Sequence, residues 1–482
     1  MVKLAVYLLL LIAAMAIAAA PWATVMFYFL NGIMQPAFVW PWEFPSFTFM
    51  SLSKILAIFS ILAWMKAVAS KGVDFSIYNN PQNFAILAMW ILMHISDVLS
   101  PFPIYFAGVR AEIVLDAMNT VVIMYFVSLG ILSDVRVYKK AFMGMSIMFA
   151  YICVYYVYWA NDIYLDNNWS MFHNGRLKSP AGTTIGDENA LSCLVVMGMP
   201  FVFLAYFYIK NMFLKWGSLA VLPLLWHSLF LFGSRGAMIA LLCTTILCLQ
   251  LLKPYKAKNR NKNGLWPKEP EVKVENTDAE NTDAENTRFK SLKLFKIAIM
   301  IGLVGAIATQ GGAMLNRSTE TIDVAKSDSE KPINPRIVSW NVGLSLIANY
   351  PVLGVGPQRF QMASNRMFPG RSVHVAHNTF LNFAANTGLP VGLLFLFLFW
   401  ANYKNYTFCR NNGIANYPIL EYVNIACSAA LVGFFISALF LDMIIFEAFY
   451  FILVLNLAKL FTFKKLLAEK NDVDKPATPT PL

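Results

Sequence analysis

The sequence predicts an all-α polytopic membrane protein, with about twelve transmembrane helices and one large helical loop on the outer face. Three observations carry this. The chain of 482 residues is 58% hydrophobic. Only 13% of its residues are charged, against about 25% in soluble domains. Apolar windows close to the ~20 residues that cross a bilayer recur along its length.

Taken in order, the windows fall at 4–20, 47–66, 83–100, 113–133, 141–159, 187–209, 216–233 and 235–252, then at 294–310, 389–402, 421–441 and 444–462. The first carries a basic start and small residues, as a cleavable signal would, and is expected to remain as an uncleaved span. The stretch 21–46 is rich in proline and aromatic residues, so it reads as an interfacial or re-entrant segment rather than a further span. The units are therefore 1–252 with about eight spans, a linker at 253–293, a span at 294–310, an outer loop at 311–388, spans within 389–462, and a tail at 463–482. The linker repeats "ENTDA" and is too polar to fold on its own.

The formal charge of +11 is read through the positive-inside rule, and no nucleic-acid partner is expected. "DVRVYKK" (134–140), "IKNMFLKWG" (209–217), the Lys-rich run after Leu252, and Lys464 with Lys465 fall on one side. That side, which also takes both termini, is cytoplasmic. All six cysteines fall in spans or on that side, so no external disulfide is expected.

The outer loop differs in kind from the linker. In "NPRIVSWNVGLSLIANYP", Asn334 is suited to cap a helix, Pro335 to begin it, and Tyr350–Pro351 to end it. Ile337, Trp340, Leu344 and Ile347 recur at helical spacing and predict its apolar face. "VLGVGPQRF" reads as a turn-rich link. "HNTFLNFAANTG" reads as a second short helix, capped by Asn378 and stopped by Gly388.

From Lys331 to Leu389 the loop has no Asp or Glu, yet it holds Lys331, Arg336, Arg359, Arg366, Arg371, His374 and His377. A basic loop is unexpected on the face where few cations belong; apart from chance, it suits contact with anionic lipid headgroups, or a strongly anionic ligand such as a phosphate or diphosphate. Arg336 would lie in the first turn of its helix, where the dipole disfavours a cation but favours an anion. Arg235, in "FGSRGAMIALL", stands at the outer end of a span between two glycines. His377 precedes a helix start and lies among arginines. Both influences disfavour imidazolium, which suits a general base. No Cys, Asp or Glu follows His374 and His377 at ligand spacing, so no metal or other cofactor is expected. Arg176 and His173 belong to another outer loop that could help bind substrate. Asp187 and Glu188, adjacent at a membrane boundary, read as caps of the helix that follows.

"GDENA" (186–190), "GSRGA" (233–237), "RIVSW" (336–340), "PVLGVGPQRF" (351–360) and "HNTFLNFAANTGLPVG" (377–392) together resemble the bacterial O-antigen ligase family. That family includes O-antigen polymerases and some protein O-oligosaccharyltransferases. The resemblance is strongest over about 185–400 and weak in the N-terminal third. It implies a GT-C-like fold in the inner membrane, with a site on the periplasmic side. It also implies metal-independent, inverting transfer of a glycan from undecaprenyl diphosphate to a hydroxyl of a glycolipid such as lipid A-core, or of a protein. By motif the family's two arginines and histidine correspond to Arg235, Arg336 and His377. Arg371, His374, Arg359, Arg176 and Asn378 are the further candidates for binding diphosphate or substrate. Where the family often has a Glu shortly before the glycine, this chain has Asn386. A polymerase, a protein-glycosylating enzyme, and a precursor transporter or flippase remain alternatives. The transporter would require an internal repeat and ionisable residues at mid-membrane. No clear repeat is seen, although Lys54, His94, Asp97, Asp116, His227 and Asp442 lie in or beside spans.

Overall fold

The structure is a computed structural model and describes residues 2–39, 51–103, 105–106, 109–180, 185, 187–252, 294, 296–309, 312, 335–369 and 375–473. Its helices begin with α1 (Val2–Ala19), α2 (Pro21–Met34), α3 (Pro36–Val39), α4 (Leu52–Ala69), α5 (Pro81–Val98) and α6 (Ala111–Leu132). Next come α7 (Tyr138–Leu165), α8 (Glu188–Tyr208), α9 (Met212–Phe232), α10 (Arg235–Leu251) and α11 (Lys296–Thr309). The last are α12 (Pro335–Asn349), α13 (Phe360–Met367), α14 (Thr379–Thr387), α15 (Leu389–Asn411), α16 (Pro418–Ala438) and α17 (Glu447–Val473). Each of the twelve apolar windows falls mostly within a helix where described, with several windows running past the helix ends. Six helices are long and apolar enough to cross a membrane, while α1, α10 and α11 are apolar but shorter. The linker 253–293 lies outside the described residues.

Local chemistry sets the helix ends. Ser51, Asn80, Asp187 and Asn211 each accept a backbone N–H of the first turn they precede. Such caps contribute about 1 kcal/mol apiece. Gly233 closes α9 with a left-handed φ of 64°, which allows α10 to begin two residues later. α8 is apolar on every face and lies at the centre, packed on α7, α9, α10 and α16.

The bundle has two chemically different ends. At one, Lys465 pairs with Asp74 and Arg136 with Asp134. At the other lie the starts of α8, α10, α15 and α17 and the ends of α5, α7, α9 and α16, together with α12 to α14.

The reading of 21–46 as an interfacial or re-entrant segment is corrected over its described part. Pro21–Met34 form a helix inside the bundle. Trp22 packs on Gly144 near the start of α7, while the Tyr156 hydroxyl, far along that helix, donates to Met34 O at 2.7 Å. Phe29 meets Phe451 with ring centroids 5.0 Å apart. α2 therefore runs from the Lys465 end to the opposite end. α1 runs antiparallel to it, its last turn held by Lys66 donating to Ala18 O. Val2 thus stands at the end opposite Lys465, not beside it as an even number of crossings requires. The misleading signal was proline: Pro21 occupies the first position of α2, where a missing N–H costs nothing.

Candidate active site

At the end opposite Lys465, the corner between α9 and α10 exposes Arg235, the first residue of α10. Arg336 is the second residue of α12, and Asp187 is the N-cap of α8, its carboxylate accepting Ala190 N–H at 2.7 Å. These groups share one electrostatic corner. Partial burial, reinforced by the nearby charges of Arg235 and Arg176, lowers the pKa of the Arg336 guanidinium, and Asp187 opposes that shift. Cations pressed together against one carboxylate favour the arrival of an anion. The start of α12 adds its own positive dipole end.

Arg176 reaches this corner from a small antiparallel hairpin in which Phe172–His173 pair with Arg176–Leu177. Its guanidinium is largely committed, with Nη1 2.7 Å from Glu188 Oε1, Nη2 donating to Asn189 at 2.7 Å, and Nε donating to Phe232 O at 3.0 Å. It ties the start of α8 to the end of α9, while its charge still acts on Arg336. Asp187 caps α8 as expected, whereas Glu188 serves as the partner of Arg176.

His377 is half-buried and stands one residue before the N-cap of α14. Its φ of 47° is left-handed, a conformation that costs a non-glycine residue about 1–3 kcal/mol. The neighbouring residues hold it there. Asn378 Oδ1 accepts Leu381 N–H at 3.0 Å, and Asn378 Nδ2 donates to Leu439 O at 3.2 Å. Thr379 Oγ1 donates to Leu441 O at 2.8 Å and accepts Met443 N–H at 3.1 Å. Asn378 is thus a positioning residue whose side chain is already engaged at both ends.

Those contacts fasten α14 to the loop 439–446 and bring Asp442 alongside. Burial raises the Asp442 pKa, Asn382 of α14 and the Ile444 N–H pull it back, and the charge of Asp187 raises it further. Asp187 is therefore felt both by Arg336 and by Asp442, and it relates the arginine corner to the start of α14. From sequence, Asp442 read only as one ionisable residue near a span. Its place emerges from contacts between segments more than 60 positions apart.

Arg359 is elsewhere. Its side chain is 3% exposed and pairs with Asp97 of α5 at 2.5 Å, so its reading as a diphosphate ligand gives way to a buried tie. Asn386, at the position where the resembling family often has Glu, accepts the Arg359 and Phe360 N–H groups at 3.0 and 2.9 Å and donates to Asn382. It organises the start of α13, which begins at Phe360, the last residue of the turn-rich link. Gly388 allows the link to close: a Cβ there would stand 1.9 Å from Val352 O. Arg366 is exposed on α13, over the Phe102 ring. Arg371 and His374, like Lys331 and Asn334, lie outside the described residues.

The apolar face of α12 is also corrected. Val342 and Leu346 are buried against Phe360, Ala363, Ala376, Leu381 and Ala385, with Trp340 and Ile347 partly buried beside them. Ile337 and Leu344 are exposed. Among the described residues, no three His, Cys, Asp or Glu side chains are grouped so that they could hold a metal ion.

Comparison with curated proteins gives no match. Residues 219–396 match the family model described as O-antigen ligase, a stretch that includes Arg235, Arg336 and His377. Over that stretch the chain is similar to the O-antigen ligase family.

Proposed function

We propose that this protein is a membrane glycosyltransferase that moves a glycan from undecaprenyl diphosphate to an acceptor hydroxyl. The observation that carries the reading is the arginine corner, where Arg235 and Arg336 stand in each other's field and in that of Arg176. A guanidinium keeps its charge and can grip phosphate oxygens in bidentate fashion. At an effective dielectric of ~20, one charge pair at ~4 Å is worth on the order of 4 kcal/mol. Two such contacts that tighten as the leaving group gains charge would stabilise the transition state without a metal.

In the reaction, the acceptor oxygen forms a bond to the anomeric carbon from the face opposite the diphosphate. The carbon–oxygen bond to the diphosphate breaks, and its electron pair leaves with that group onto Arg336 and Arg235. His377 takes the acceptor proton, and the anomeric configuration inverts. Asp442, beside the first turn of α14, would stabilise the imidazolium so formed. Arg371 and His374 are retained as further substrate contacts. A glycolipid of the lipid A-core kind is the proposed acceptor. The site would face the periplasm from the inner membrane, because Arg136, Lys139, Lys140, Lys464 and Lys465 gather at the opposite end.

The test is single-turnover transfer with EDTA present, using polyprenyl-diphosphate-linked glycan and a panel of acceptors. Wild type should form product and His377→Ala should not. Equal rates for the two would remove the assignment of His377. Donor binding without transfer to any acceptor would favour a translocating protein.

A further inference from the structure

α12 carries a second apolar edge on the side away from its core contacts. Ile337 and Leu344, seven positions apart, lie almost in line along the helix, with Asn341 and Ala348 on the same exposed side. Val352 continues the edge just past the helix end. Their relative exposures are 47%, 55% and 63%, values that leave large aliphatic side chains uncovered. Nothing in the packing of α12 on α13 and α14 uses them.

Both ends of α12 are set at one level. Arg336 lies at its N-terminal end, in the field of Arg235, which begins α10, and of Asp187, which caps α8. Just beyond its C-terminal end, Pro351 O accepts the N–H of Leu389, which begins α15. Three apolar helices of the bundle thus start at the two ends of a helix about 22 Å long. A helix held between such points lies across the end of the bundle rather than projecting from it. The helices that begin near its two ends carry outward apolar faces of their own. Beyond Arg235, α10 exposes Ile239 and Leu242, and beyond Leu389, α15 exposes Leu393 and Trp400.

We propose that α12 is an interfacial helix, with its Ile337–Leu344–Val352 edge inserted among the lipids of the leaflet at the site end of the bundle. An aliphatic edge at the boundary plane gains burial in the acyl region, whereas the same edge in water has no compensation. The arrangement places Arg336 at headgroup depth, within lateral reach of a lipid-borne phosphate. The inference rests on the placement of α12 and is independent of the transfer reaction.

The test uses site-specific depth measurement in the full-length chain. Five of the six cysteines are buried, so Cys243→Ser provides a quiet background. Single Ile337→Cys, Leu344→Cys and Ala348→Cys variants, with Asn365→Cys on α13 as an exposed reference, would each carry a small fluorophore. They would be reconstituted in vesicles of phosphatidylethanolamine and phosphatidylglycerol. Lipids brominated on the acyl chains should quench positions 337 and 344 at least about twofold more than position 365, and aqueous iodide should show the reverse order. Iodide quenching as strong at 337 and 344 as at 365 would overturn the proposal, as would protection from both quenchers, which would mean cover by protein. Position 348 supplies the same reading should a substitution at 344 fail to fold.

Discussion

The two ends of the bundle handle positive charge in opposite ways. At one end, Arg136 is matched by Asp134 and Lys465 by Asp74, each pair near solvent. At the other, Arg235 and Arg336 share a corner with Arg176, whose own carboxylate is already engaged, and Asp187 opposes the crowding felt by Arg336. Each of the two pairs at the first end is locally balanced, although Lys139, Lys140 and Lys464 stand at the same end. The second end gathers three guanidinium groups in one another's field, an arrangement that favours an anion. Cation number alone does not separate these ends; the difference lies in where the acids are.

The largest effect should come from the unbalanced end. Arg336→Ala should lower the transfer rate by about 10²–10³, the range for losing one group that stabilises developing charge. Lys465→Met should leave that rate unchanged, and equal losses from both would end the contrast. Arg359→Ala should destabilise the protein by about 3 kcal/mol, the low end for a broken buried pair because Asp97 keeps some contact with solvent. Denaturation in detergent would measure it. A milder change sharpens the comparison. Asp187→Asn keeps a capping side chain while removing the opposing charge, so inorganic pyrophosphate should bind about three- to tenfold tighter by calorimetry, as expected for roughly 1 kcal/mol of repulsion.

The smallest effect belongs to the balanced end. Hydrogen bonds from Lys465 and then Ser76 hold the Asp74 carboxyl down to about 2. A lowered folded-state pKa contributes stability that is fully present above the unfolded value near ~3.9 and lost as pH falls towards 2. For so exposed a pair the contribution is at most about 1 kcal/mol. Lys465→Met should weaken that acid-limb dependence in a melting series from pH 5 to 2, leaving the part due to Ser76, and change little else.

Much of the architecture was legible because membrane helices are long and apolar and their ends follow local rules. Asn378 and Gly388 bound α14 where the sequence placed them, and Asp187 caps α8. The errors arose where one local pattern admits two tertiary solutions. Pro21 can interrupt a helix or begin one, and only the packing of Trp22 on Gly144 decides. α12 has apolar residues on two edges, so periodicity indicates a helix without choosing which edge is covered. Arg359 read as a surface cation because its partner, Asp97, is 262 positions away. Asp442 read only as an ionisable residue beside a span for the same reason, since its place depends on contacts between segments more than 60 positions apart.

The left-handed backbone at His377 has a consequence for how this chain evolves and can be engineered. A glycine at that position would adopt the same conformation without strain, and the folded protein should gain about 1 kcal/mol. Selection for robust folding alone would therefore discard the histidine. Stabilised libraries screened only for expression or melting temperature should accumulate His377→Gly or His377→Asn and lose transfer activity as they do so, a local instance of the trade between stability and function. Selecting for product at the same time should hold the imidazole in place and move stabilising changes to other positions.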